Sequence, residues 1–496
     1  MKKLTKFAVL MLSALVFLFS CESTDNVEKS GDKQKKEKTP KVKKGKFDYE
    51  LYNTAYEHRD FQTCINLLGQ KNSKKTEIKD KLDMNMLQHF MGDYEGSGRS
   101  FFETQGLMQQ SAADMTAGKV MGAALSSEDS VTYSGAVYER LLAYSMRIVN
   151  SIASGKMDEA LGVVYTYTGD YKDIIAPLVQ QQKEIAASSE GVLEDSKVSG
   201  AMDVLAKFGD VNLSELSKGI PQKTDLTYET SPFLSYLGTL VYAANNDPDH
   251  AKDFGAVLKT DIPSLDVTED IEVPAGKGRL NVLALSGTIG KRADSNLEKI
   301  LMFTIDRCGY SLPVFFKFSY PVFRPEDQNH AIKSVRVKLS NGDTKDAIVI
   351  ENFDNAVAID VASKARGAFN RSIFRNITKA AAVIPTNIVA LEAAQKGLEA
   401  ASANPITSIA AQVAVTAAVE GMKAALAAFA DAEEADIRQC DYFPNFASSA
   451  GFTVDPGTYN VTVEYLDGET VIESRVIENV VVEEGKVAVK VSTCEK

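Results

Sequence analysis

Apolar positions recur with a helical period up to about residue 263, with a period of two to about 360, helically again to about 437, and with a period of two from there on. The first helical stretch is built in pairs. In LYNTAYEHRDFQTCINLL, Leu51, Ala55 and Tyr56 precede a polar turn at His58 to Asp60, and Phe61, Cys64, Ile65 and Leu68 then return at helical spacing. Met84, Leu87 and Phe90, a break at Gly92-Asp93, then Tyr94, Phe101 and Phe102 repeat the arrangement. In the third copy Tyr138, Leu141, Leu142, Ile148, Val149 and Ile152 line one face, Gly155-Lys156 turns, and Met157, Ala160, Leu161 and Val164 line the next. The fourth carries Leu237-Gly238, Tyr242, Ala251, Phe254 and Leu258 and is closed by Pro263. Beyond it, RLNVLALSG, KILMFTIDR, VFFKFSYPVF and SVRVKLSNGDTKDAIVIENF read as strands, with a hairpin turn at Asn341-Gly342. From Val361 to Ile437 an Ala-rich helical stretch follows, with breaks expected at Pro385 and Pro405. Strands resume after it, with turns at Pro456-Gly457, Asp467-Gly468 and Glu484-Gly485.

This pattern predicts an α+β multidomain chain. A helical repeat domain covers 47–265, a first β-segment 268–360, an Ala-rich helical insertion 361–440, and a β-sandwich-like C-terminal part 441–496. The economical arrangement makes the two β-segments one antiparallel domain interrupted by the insertion; a second β-domain after the helices is the alternative.

The first 46 residues differ from everything after them. Lys2, Lys3 and Lys6 precede an apolar run from Phe7 to Phe19, and Leu18-Phe19-Ser20-Cys21 closes it. That layout is a secretory signal over 1–20, shorter than the roughly 20 apolar residues that a bilayer span needs. It resembles a bacterial lipoprotein signal, which implies that Cys21 is lipidated and anchors the chain to a membrane. Residues 21–46 are rich in Lys and nearly free of apolar side chains, so they read as a flexible basic tether. Removing the three signal lysines takes the net charge from -12 to -15, and the tether's excess of four lysines leaves -19 on the body. An acidic body on a basic tether argues against a nucleic-acid partner.

Small residues at helix contacts, a Gly or Asp turn followed by an aromatic, and a unit near 34 residues make the pairs resemble tetratricopeptide repeats. A plain helical bundle is the alternative. TYSGAVYERLLAYSMRIVNSIASGKMDEA resembles the signature of a family of bacterial envelope lipoproteins with such repeats: a Pro-Tyr-x-Gly segment, then Tyr-Glu-Arg and a long helix. Gly135, Tyr138, Glu139 and Arg140 match it, with Gly155 at the turn. SPFLSYLGTLVYA, IENFDNAVAIDVASKARGAFNRSIFRNITKAAA, and EEADIRQCDYFPN with VDPGTYNVTV agree in order. The chain departs from the family where Arg438-Gln439-Cys440 replaces Arg-Ser-Trp, and where EALGVVYTYTGD has fewer Arg. The family's role is not established. The resemblance implies placement in the cell envelope and, by the family's company with peptidoglycan-synthesis activators, a role in envelope assembly. Glu22 after Cys21 lacks the Asp of inner-membrane retention, which favours the outer membrane, facing the periplasm.

Catalytic chemistry finds little purchase. No two of His58, His89, His250 and His330 stand one helical turn apart, so a zinc-protease motif is absent. Cys64 near His58 reads as a core cysteine beside a surface histidine. Ser286 to Lys291, SGTIGK, fails the phosphate-loop spacing and reads as a turn. Asp261, Asp266, Glu269 and Asp270 lack an EF-hand's spacing and read as a solvated linker. Glu139 and Arg140 read as an interhelix ion pair, with ligand contact as the alternative. Of the remaining cysteines, Cys64, Cys308, Cys440 and Cys494 allow three pairings, with Cys440–Cys494 favoured. The small-residue stripe Ala410, Ala414 and Ala418 predicts a close-packed helix hairpin, or else an oligomerisation or membrane-inserting element. No cofactor or metal is expected, and no catalytic residue. The expected function is a lipid-anchored scaffold that docks protein partners through its helix pairs. The alternatives are a wall-polymer module or enzyme in the β-domain, using Tyr320, Tyr442 or Tyr459, and a self-assembling subunit using 376–437. The oligomeric state is left open.

Overall fold

The computed structural model describes residues 47–71, 77–113, 132–190, 196–207, 219–305, 310–401 and 405–496. The signal, Cys21, the whole tether and Cys308 lie outside them. Helices α1 (Tyr49–Glu57) and α2 (Phe61–Lys71) turn at Arg59, α3 (Ile78–Phe90) and α4 (Tyr94–Ala113) at Gly92, and α5 (Val137–Ala153) and α6 (Met157–Asp170) at Gly155. Each turn residue has a positive φ, of 56°, 79° and 73°, the left-handed conformation that ends a helix in one residue. A π-turn, Tyr171–Ile175, carries α6 into α7 (Ala176–Glu190), and α8 (Ser196–Ala206) follows. The fourth pair is α9 (Pro232–Ala244) and α10 (Pro248–Asp261), turned at Asn246. Ser231 and Asp247 cap these two helices through the amides of Leu234 and His250, at 3.2 Å each, with Pro at the first helical position of both. Gly238 is small because the Phe254 ring lies where its Cβ would be, 2.4 Å away.

A single turn, α11 (Thr268–Ile271), leads into the strands. They are β1 (Gly278–Ser286), β2 (Ala293–Asp294), β3 (Leu297–Ile305), β4 (Tyr310–Phe318), β5 (Pro321–Val322), β6 (Ser334–Leu339), β7 (Thr344–Asp346) and β8 (Ile348–Asn352). After two long helices, α12 (Phe353–Ala401) and α13 (Pro405–Asp431), come β9 (Phe446–Val454), β10 (Gly457–Asp467), β11 (Thr470–Val482) and β12 (Val487–Cys494). Strands from both sides of the helices share two sheets, ordered β12-β1-β9-β8 and β11-β10-β6-β7. Their inner faces meet in one apolar core that includes Leu280, Val282, Val337, Phe452, Val463 and Val482. All pairs within these sheets are antiparallel except β1 with β12, which run parallel. The expected antiparallel β-domain is present and contains this one parallel pair. β1 is buried on both faces, which accounts for the unbroken apolar run in its sequence.

The helices and strands of Tyr49–Lys496 form one compact unit. Buried polar contacts join them. Glu351 on β8 accepts from the Tyr228 hydroxyl, from Ser231 Oγ at 2.6 Å and from the Phe233 amide at 2.9 Å, and burial raises its carboxyl to about 7. His89 on α3 bonds Asn150 at 2.7 Å and Thr493 on β12 at 2.8 Å. The acidic stretch near 261–270 is not simply a solvated linker: Asp270 is 2% exposed and paired with Arg279 of β1 at 2.7 Å.

The insertion differs from its expected outline in three ways. Its first helix starts at Phe353 rather than near 361, because Asn352 Oδ1 caps it by accepting from the Asp354 amide. It runs through Pro385 unbroken. Ile384, Ile388 and Leu391 there are buried in a seam with Val415 and Met422 of α13, and that packing outweighs the lost backbone hydrogen bond. Of the stripe Ala410, Ala414 and Ala418, the first two face solvent and only Ala418 packs against the seam. The hairpin β3–β4 adds Phe316 and Phe318 to the same core. Among the described helices α12 alone is long and apolar enough to cross a bilayer, and 28% of its most apolar 18 residues are buried in the molecule. Cys440 and Cys494 are free buried thiols, so the favoured disulfide is absent, and Cys64 is also free and buried.

Candidate functional site

The stretch 132–144 shapes a wall. Gly135 has φ 80°, and a Cβ there would lie 2.1 Å from Met108 Cε, so the segment needs glycine on both counts. Glu139, at the third position of α5, accepts from the Ala136 amide at 2.7 Å, from the Tyr133 hydroxyl, and from the Cys440 amide at 2.7 Å. Arg140 donates to the carbonyls of Met108 at 2.8 Å and Ser134 at 2.5 Å, and burial lowers its pKa to about 10. Expected as an ion pair, Glu139 and Arg140 are each bound mainly to backbone, pointing to different segments. Tyr138, Glu139 and Arg140 are 1%, 0% and 5% exposed. They hold residues 133–136 in place and do not themselves reach solvent.

Those residues form one side of a cleft of about 520 Å³. Other sides come from α7 around Lys183 and Ile185, the segment 223–227, and α12 from Asp360 to Arg371, with Arg292 and Asp436 also lining it. At its centre Arg292 donates to Asp360 Oδ2 at 2.8 Å and to the Tyr138 hydroxyl at 3.2 Å. Lys364, one turn along α12, also binds Asp360 at 2.8 Å. Burial opposes the charge of Asp360, but Lys364 and Arg292 outweigh it and keep the carboxyl below its usual range. For Arg292 burial also acts against the charge, and Tyr138 and Asp360 beside it more than compensate, so it stays protonated.

Six cationic side chains line the cleft, Lys183, Lys223, Arg292, Lys364, Arg366 and Arg371, against three acidic ones, Asp225, Asp360 and Asp436. The excess stands out in a body whose net charge is -19. Arg366 makes no hydrogen bond or ion pair among the described residues, and its Nε is buried with no acceptor. The Nε of Arg292 is in the same condition. Ile185, Leu226, Val361 and Ala368 supply apolar wall between these charges, and Leu226 is 64% exposed.

No family model, curated protein or solved structure matches this chain.

Other titratable groups do not converge on a reaction centre. Among the described residues no three of His, Cys, Asp and Glu are placed to hold a metal. His58 is exposed while Cys64 is fully buried, its thiol pushed up to about 11 by burial, which is the core-and-surface arrangement expected. The three tyrosines weighed for a sugar groove are taken up separately. Tyr442 bonds the Tyr52 hydroxyl at 2.7 Å, Tyr459 bonds the Asp455 carbonyl at 2.7 Å, and Tyr320 packs edge-on to Phe369. Sequence reasoning missed the cleft's cations. Arg292 directly follows the SGTIGK turn, and Lys364, Arg366 and Arg371 lie in a stretch read for its alanines. The available signal was a run of cations in an otherwise apolar helix.

Proposed function

We propose that this chain is a binding protein of the cell envelope rather than an enzyme. A lipid on Cys21 holds it to the membrane, on the outer membrane's periplasmic side, and its tether lets the body work away from the lipid surface. Its helix pairs, taken as tetratricopeptide-like, dock a protein partner in envelope or peptidoglycan assembly, and the cleft beside the third pair is where recognition is concentrated. The observation that carries this reading is the cleft itself. It is large enough for a ligand, lined by an excess of cations with two unmatched guanidinium N–H groups, and supplied with no nucleophile–base pair. Val389, Ile409 and Val413, each more than 60% exposed on the α12–α13 hairpin, favour a second contact surface for self-assembly.

Two measurements test it. Cys21→Ala should move the folded chain from the membrane to the soluble fraction, and a product that stays membrane-bound contradicts the anchor. A photo-crosslinking residue at Leu226, on the cleft, should give a discrete adduct in cells, read by mass spectrometry. The same residue at Val476, exposed on β11 and outside the cleft, should not. Adducts from neither position, or equally from both, contradict recognition at the cleft.

A further inference from the structure

We infer that the cleft takes an amphiphilic oxyanion: a phosphoryl or carboxylate head held by Arg366 and Arg292, with an apolar tail along Ile185, Leu226 and Val361. This rests on the reading that the cleft is the ligand site and names the chemistry it selects.

Three observations lead to it. The first is charge: six cations against three acids line a cleft in a strongly acidic body. Neighbouring charge is already spent on Arg292 and Lys364 through Asp360, on Lys183 through Glu229 at 2.6 Å, and on Asp436 through Arg438 at 2.8 Å. Arg366 has no such partner among the described residues. The second is hydrogen bonding. A buried N–H without an acceptor costs about 1–3 kcal/mol, and two guanidinium Nε atoms stand in that state on one cleft. A planar guanidinium offers paired N–H donors that match two oxygens of a carboxylate or phosphoryl group. The third is shape. About 520 Å³ suits a small ligand, and a single compact anion would leave the apolar wall uncovered. Leu226 is largely exposed at this site, and an apolar group laid over it would gain the free energy of covering that surface.

The alternative for an unmatched arginine is that it only stands in solvent. The same helix argues against that reading. Arg375, nine residues on, is fully buried and closed by Glu433 at 2.9 Å. Ser372 Oγ and Lys379 meet that carboxylate too, at 3.1 and 3.0 Å. Where the fold buries the Arg375 guanidinium it brings up an acceptor from the segment after α13, and at Arg366 Nε it brings none.

The test is calorimetric titration of the Cys21→Ala full chain with decyl phosphate, decanoate, inorganic phosphate and decanol. Decyl phosphate or decanoate should bind, and at least about tenfold more tightly than decanol or inorganic phosphate. R366Q should lose about tenfold or more of that affinity, with R366K between, while thermal unfolding shows both variants folded. Flotation with phosphatidylcholine vesicles containing phosphatidic acid separates the sources. Flotation that R366Q abolishes places the head on a lipid, and binding of the soluble amphiphiles without flotation places it on a free ligand; either result supports the site. Decanol binding as tightly as the anions, R366Q binding them unchanged, or no binding of any anion up to about 1 mM overturns it. If anion binding is absent while Leu226 still yields its own adduct, this inference falls and the binding-protein reading stands.

Discussion

Two stretches of one helix, α12, treat buried charge in opposite ways. Toward the hairpin root, Arg375 and Glu433 are both 0% exposed, and every oxygen of that carboxylate is occupied by Arg375, Lys379 or Ser372. Toward the cleft, Arg366 is only partly buried, and its Nε has been taken out of solvent with no acceptor supplied. The first arrangement is closed and serves the fold. The second is left open at a cost to the fold. Burial alone does not separate the two, since Arg292 in the cleft is as deeply placed as many core residues. What separates them is whether the chain completes the hydrogen bonds itself.

The comparison breaks most visibly at its closed side. R375M should cost about 3–5 kcal/mol in chemical denaturation by leaving Glu433 buried and unpaired, and removing Glu433 as well, in R375M/E433L, should recover much of it. A loss below about 1 kcal/mol in the single variant would mean that the pair is not buried as described. His89 sharpens the same point at the seam between helices and sheet. Burial first, then the nearby Arg475 guanidinium, lower its pKa to about 4 from the ordinary 6.5, so it is neutral in the folded chain. Below 6.5 the unfolded chain gains a proton that the folded one refuses, so this contribution is intact above 6.5 and falls as the pH drops toward 4, by about 3 kcal/mol. Asp83 and Glu351, both raised to about 7 by burial, work the other way. Folded, they hold protons that their unfolded forms have lost, which favours the fold as the pH drops from 7. The difference between the parent chain and H89Q isolates the histidine: it should shrink as the pH is lowered from 6.5 to 4, and a pH-independent difference contradicts the assignment. The smallest effect belongs to the open side. R366Q breaks no contact and removes a buried N–H that lacks an acceptor, so it should raise stability slightly, by about 1 kcal/mol, and a loss of stability would contradict the open arrangement.

Much of the architecture could be read from the chain. The turns at Gly92 and Gly155 were marked by glycine after an apolar face, and the strands flanking the insertion by alternation. What could not be read was set by distant contacts. Pro385 is a helix breaker by local chemistry, and only the seam with α13 reveals why the helix continues. Ala410-Ala414 looks like a contact stripe, but Val415 and Met422 define the buried face. The parallel β1–β12 pair joins residues some 200 apart, which no local pattern reports. The cleft was hidden for the same reason. Tyr138, Glu139 and Arg140 were singled out by the resemblance of their local stretch and hold one wall, while Arg292, Asp360 and Arg366 come together only through the fold.

The central claim, that the open cleft is the place of recognition, is tested most directly by hydrogen exchange of the Cys21→Ala chain with and without saturating decyl phosphate. The account predicts slower exchange in peptides covering 132–136 and 360–371, with the sandwich strands of 446–494 unchanged. Slower exchange in those strands with the cleft segments unaffected would contradict it.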